Sequence, residues 1–293
     1  MKRWANILLE LTKFRISLFA TLSASVSFML ANQGISREII LPTAGVFFLA
    51  CGSCALNQYQ ERENDRLMER TQGRPIPSKR LNPRTALKIS LLLLFLGALI
   101  LLLGTNAIAF GLGAFAIFWY HAIYTPLKKR TPFAVIPGAL VGAIPPMIGW
   151  VSGGGHLHDP QLVAISFLFY IWQAPHFWIL LFNFGRDYEK GGFPSLDRVF
   201  TQAQFRRILF LWIFATGVTC FMIPLFGILK SPLMIGGLFG IGGWLLWKAY
   251  RFLRGQPPES HVQSIFKAVN IYVLWVMVCF GLDPFFRAFK IFT

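Results

Sequence analysis

Asn57, Glu61, Asp65 and Glu69 recur every four residues in the stretch "NQYQERENDRLMERTQGRPIPSKR". On a helix each such step advances about 40° around the axis, so the four would lie along one slowly turning stripe. Oxygen ligands at this spacing suit Mg2+, a hard cation that takes carboxylates together with substrate phosphates. Arg62, Arg66, Arg70 and Arg74 make a second stripe one residue on, and "GRPIP" stops the helix so that Arg74 falls beside the carboxylates. Carboxylates, Mg2+ and arginines together form a diphosphate site, in which the metal neutralises a leaving group and guanidinium forks hold its outer oxygens. A solvated helix carrying ion pairs four residues apart is the plainer alternative. Against it, Asn57 lies inside an apolar segment, where an unpaired amide is costly.

Other segments fit the same chemistry. "LTKFR" sets Lys13 and Arg15 at the mouth of an apolar run, and "YTPLKKRT" places Tyr124 and Lys128 four apart with Lys129 and Arg130 adjacent. A second acidic segment, "RDYEKGGFPSLD", supplies Asp187, Glu189 and Asp197 beside two glycines. His176, in "APHFW", lies deep in an apolar run, and His121 falls near the end of another. His156 and His158, in "SGGGHLHDP", read as loop residues. Cys51 and Cys54 look like a redox dithiol but sit within an apolar segment as small packing residues.

These residues need elements to hold them, and the composition says which. Hydrophobic residues make up 55% of the chain and charged residues 14%, against roughly 25% in a soluble domain. Continuously apolar runs, rather than alternating ones, predict spanning helices and exclude a β-barrel. Nine spans are expected near 16–32, 40–57, 86–103, 106–123, 133–151, 161–183, 207–229, 231–247 and 268–286, forming a single domain over 1–293. The first run is too long for a signal peptide and no clear cleavage site follows it. Of 28 Lys and Arg, all but Arg37, Lys230, Arg287 and Lys290 fall at the N-terminus and on the even-numbered connections. By the positive-inside rule that side is cytoplasmic, and the C-terminus lies opposite. The net charge of +16 is thus a topology signal, and no nucleic-acid partner is implied. Seven of the twelve acids sit in the two acidic segments, both on the cytoplasmic side.

"LTKFRI", the long first motif, "YTPLKKRT", "GAIPPMIGW", "WQAPHFW" and "DYEKGGFP" occur in an order that resembles the protohaem IX farnesyltransferases of the UbiA superfamily of intramembrane prenyltransferases, over residues 11 to 194. The resemblance implies an all-α bundle of nine transmembrane helices around a central cavity, open to the cytoplasmic side and laterally to lipid. It implies farnesyl diphosphate and protohaem IX as substrates, Mg2+ as cofactor, and a multi-pass location in the cell's inner membrane. Asn57, Glu61 and Asp65 match the first metal-binding motif and Asp187 the start of the second. Arg74, Tyr124 and Lys128 match diphosphate-side positions, joined by Lys13 and Arg15 of the first basic motif. With haem as substrate, His176 within the sixth span is a candidate to face it or to donate a hydrogen bond to its propionates, the plainer alternative being a histidine bonded to a helix backbone or neighbour. A homo-oligomer, or association with the machinery of haem A synthesis, would fit that setting.

Some positions depart from the pattern. Glu61 stands where Asp is usual, Phe14 where Pro is, Ala134 where Asn is common, and Asp197 where none is expected. Gly191 stands where the wider superfamily has a second Asp, which favours haem over a quinone precursor or other aromatic acceptor. A small-solute transporter is a more distant alternative. Transporters tend to carry ionisable groups at the bilayer midplane, whereas these acids gather at span ends.

Overall fold

The computed structural model describes residues 2–196, 199–254 and 259–287, so Asp197 lies outside the described residues. Among the described residues nine helices are long and apolar enough to cross a membrane: Phe14–Ala31, Arg37–Gln60, Pro83–Gly104, Ala107–Lys128, Pro132–Ser152, Pro160–Lys190, Gln202–Leu225, Pro232–Arg254 and Val262–Phe286. Each expected span is present. The differences are at polar ends that hydropathy does not see. The sixth continues past 183 to Lys190, with a kink at Phe184 (φ −123°, ψ 22°), and the ninth begins at Val262 rather than near 268.

Lipid offers little drive for helices to associate, so close approach has to come from small residues. The second and third spans show this. A Cβ on Gly97 would lie 2.7 Å from the Leu49 nitrogen and 2.9 Å from the Gly45 oxygen, and one on Gly52 would lie 2.8 Å from the Leu94 nitrogen. This contact fixes the helix that carries Asn57. The tight turn after Gly104 is capped by Asn106, whose side chain accepts from the Ala109 nitrogen (2.9 Å) and donates to the Val151 oxygen (2.8 Å).

The acidic stripe is not one continuous helix, which corrects the expectation for Glu69 and for the arginine stripe. The helix Ile40–Gln60 ends at Glu61, whose backbone (φ −100°, ψ 7°) breaks the run, and a short helix Arg62–Leu67 follows. Met68 is then extended, so Glu69, Arg70 and Arg74 leave the helical surface. A further helix, Lys2–Leu11, was not among the expected elements because it is short and carries charges. Its Ile7 and Leu11 pack with Ala55, Ile76, Leu81 and Ala86, while Trp4, Leu8 and Leu9 face outward. Gln58 pins it by donating to the Glu10 and Leu11 oxygens at 2.7 and 2.9 Å.

Candidate active site

The end of the second span, the start of the first and the end of the fourth converge on one buried polar cluster. Asn57 is 1% exposed, and its Oδ1 accepts from Lys13 Nζ at 2.9 Å while its Nδ2 has no partner among the described residues. Asp65 is equally buried, and Nη1 of Arg74 reaches both of its carboxylate oxygens, at 2.8 and 2.7 Å. Lys128 Nζ lies 2.6 Å from Glu61 Oε1, a charge contact in which Oε1 gains no aligned hydrogen bond. Burial opposes ionisation of Glu61, but Lys128 and then Lys13 outweigh it and hold the carboxyl below its ordinary range. Burial, followed by the Arg74 guanidinium, pulls the Lys13 ammonium down to about 8.

The fourth span reaches this cluster through a π-helical turn, Trp119–Tyr124. Such wide turns are rare, and many occur at functional sites. Here the turn carries His121, whose Nδ1 lies 2.8 Å from Gln60 Oε1 and whose buried Nε2 has no partner among the described residues. It also carries the buried Tyr124, whose ring lies 5.2 Å from Lys128 Nζ and leans on Gly138, where a Cβ would clash with it. Gln60 carried no sequence signal of its own, being one polar residue among many at a span end.

The two acidic segments meet. Asp187 accepts from the backbone N–H groups of Glu69 (2.7 Å) and Arg70 (3.2 Å), and Asn64 Nδ2 donates to the Gly191 oxygen at 2.7 Å. A Cβ on Gly191 would lie 2.7 Å from Met68 Cγ, so any longer residue there would have to displace Met68. Glu69 pairs at the exposed surface with Lys190, 2.5 Å away. Arg15 is exposed, and no hydrogen bond or ion pair among the described residues joins it to the cluster. His176 stands apart, between the sixth and ninth spans, with Nδ1 2.8 Å from Asn270 Oδ1. His156 and His158 stack at 5.4 Å in a loop held by Asp159, and Cys51 and Cys54 are free and buried.

The donor set fits Mg2+. Asn57, Glu61 and Asp65 offer buried oxygens, each facing a lysine or arginine side chain. Among the described residues no three acids, histidines or cysteines stand close enough to cage a metal on their own. That agrees with the ordinary habit of Mg2+, which uses one or two carboxylates and takes its remaining ligands from phosphate and water.

Residues 17–271 match the sequence signature of the UbiA prenyltransferase family. The chain belongs to that family. It is 31% identical to a protoheme IX farnesyltransferase of Oleidesulfovibrio alaskensis, over 94% of this chain and 95% of that one. It is 36% identical to one of Geobacter sulfurreducens, over 77% and 83%. The fold of a digeranylgeranylglyceryl phosphate synthase superposes with a TM-score of 0.77 at 16% identity, covering 97% of this chain and 99% of that one. A UbiA homolog from Archaeoglobus fulgidus, solved with GPP and Mg2+, gives 0.66 at 15% identity, covering 94% and 99%. This UbiA-family protein is a prenyltransferase, and its buried cluster is the candidate site for that chemistry.

Proposed function

We propose that this chain transfers the farnesyl group of farnesyl diphosphate to a vinyl carbon of protohaem IX, making haem O. The observation that carries the reading is the buried cluster in which Lys13, Arg74 and Lys128 are held by Asn57, Asp65 and Glu61. Cations already positioned and desolvated can exchange these partners for diphosphate oxygens at little ordering cost, and Tyr124 adds a hydroxyl beside Lys128. Asn57, Glu61 and Asp65 on one acidic segment and Asp187 on the other would hold Mg2+ together with phosphate and water rather than as a closed protein cage, and the ion would supply the positive charge that allylic diphosphate cleavage needs.

The chain's own groups do the rest. Lys13, Arg74 and Lys128 bind and orient the diphosphate, whose C1–O bond breaks with the electron pair leaving on oxygen. The bundle excludes bulk water from the allylic cation until the vinyl π electrons form the new carbon–carbon bond. One water then adds to the neighbouring vinyl carbon and releases a proton, giving a hydroxyethylfarnesyl side chain. The protein resides in the inner membrane, with the N-terminus and the site on the cytoplasmic side. The relatives named for protoheme farnesylation favour haem over other aromatic acceptors. Purified protein incubated with protohaem IX, Mg2+ and farnesyl diphosphate should yield a product with the mass of protohaem plus a farnesyl and a hydroxyl group. Farnesylation of an aromatic quinone precursor, with protohaem left unchanged, would replace this reading.

A further inference from the structure

His176 sits in a row of rings that links three spans. Phe19 and Trp172 stack at 5.0 Å and 28°, Trp172 and His176 lie 5.1 Å apart at 41°, and His176 and Phe266 lie 5.0 Å apart at 35°. The imidazole is half-buried, and its hydrogen bonding fixes its tautomer. Asn270 Nδ2 donates to the Phe266 oxygen at 2.8 Å, which turns Asn270 Oδ1 toward His176 Nδ1, also at 2.8 Å. An amide oxygen only accepts, so Nδ1 carries the proton. Nε2 is left with its lone pair, and no hydrogen bond among the described residues reaches it.

A neutral imidazole whose N–H is fixed by a carbonyl is the arrangement proteins use to present the other nitrogen to a metal. The surrounding aromatic residues suit a flat, apolar macrocycle better than a hydrated ion. We propose that His176 Nε2 is an axial ligand to the iron of the porphyrin substrate, with Asn270 as its positioning residue. The proposal rests on the haem reading above. Ligation at the centre of the ring holds the macrocycle by its metal. Its edge, where the vinyl groups are, stays free to meet the prenyl donor.

The test is a titration of the purified full-length protein with ferric protoporphyrin IX and with metal-free protoporphyrin IX, followed by absorbance. Wild type should bind the iron porphyrin more tightly and shift its Soret band to that of an imidazole-ligated haem. His176→Ala should bind both porphyrins with the weaker affinity of the metal-free form, and added imidazole should restore the Soret position. Asn270→Leu should lower iron-porphyrin affinity about tenfold while leaving metal-free binding unchanged. If His176→Ala retains the wild-type spectrum, or if Asn270→Leu weakens both porphyrins equally, the ligand role is wrong while the proposed function stands. Should His176→Ala bind neither porphyrin, the Asn270→Leu comparison decides. A wild-type protein that binds neither would remove the haem reading, and this proposal with it.

Discussion

On the ninth span, the fully buried Asp283 accepts from the backbone N–H groups of Lys230 (2.9 Å) and Ser231 (2.8 Å), which join the seventh span to the eighth. At the other end of the bundle Asp65 is as deeply buried, but its hydrogen bonds come from a side chain, Arg74. The asparagines divide in the same way. Asn106 has a backbone partner on each side of its amide, whereas Asn57 is held by Lys13 and leaves its Nδ2 unpaired among the described residues. A backbone partner cannot leave without unfolding its helix, but a lysine or arginine can exchange one oxygen anion for another. Burial alone therefore does not mark the site. In the proposed site it is burial against side-chain partners that stands out.

The largest expected effect tests that contrast directly. Asp65→Asn should lower turnover by at least roughly a hundredfold, because it removes charge compensation at the leaving group while the protein stays inserted and folded. Asp283→Asn should cost about 1–3 kcal/mol of stability and leave the rate per folded molecule unchanged. Comparing activity with thermal unfolding in the two variants checks this, and equal loss of turnover in both would erase the distinction. Asp187 has backbone partners of the structural kind yet sits between the two acidic segments. Asp187→Asn is expected to abolish turnover with the fold retained. A loss confined to the melting temperature would make it a loop staple instead.

Glu61 comes next in size. Glu61→Gln should lose most activity and need more Mg2+ for what remains, whereas Glu61→Asp, which keeps the charge, should stay close to wild type. An Mg2+ titration of both variants separates a metal ligand from a mere partner of Lys128, for which the Mg2+ requirement would not move. Glu69→Gln should do least. Its pair with Lys190 is exposed, and exposed ion pairs contribute little. If it proved as damaging as Asp65→Asn, the site would extend further along the loop than the buried cluster does.

Long apolar runs and the sorting of basic residues made the nine spans readable from sequence, because the bilayer imposes length and composition on every crossing helix. The members of the candidate cluster, Lys13, Asn57, Glu61, Asp65, Arg74, Tyr124 and Lys128, could also be picked out of the sequence, since polar and charged groups inside or beside a greasy run are costly and need a reason. The break at Glu61 was not. "YQERENDRL" contains no proline or glycine, and only packing against the neighbouring spans shows where the axis bends. Asn270 and Gln60 escaped notice for a related reason. Each matters through one histidine on a distant span, a pairing that spacing along the chain cannot reveal.

Lys13 holds a left-handed backbone conformation (φ 46°, ψ 54°) at the junction between the N-terminal helix and the first span. That conformation costs a residue with a Cβ about 1–2 kcal/mol, a cost that glycine avoids. The same bend places the ammonium against Asn57. Position 13 is thus one where stability and chemistry ask for different residues. A glycine there would suit the backbone, and would remove the cation proposed above to bind diphosphate. Lys13→Gly relieves the backbone but strips the buried Asn57 Oδ1 of its partner, so its melting temperature should move little while its turnover falls.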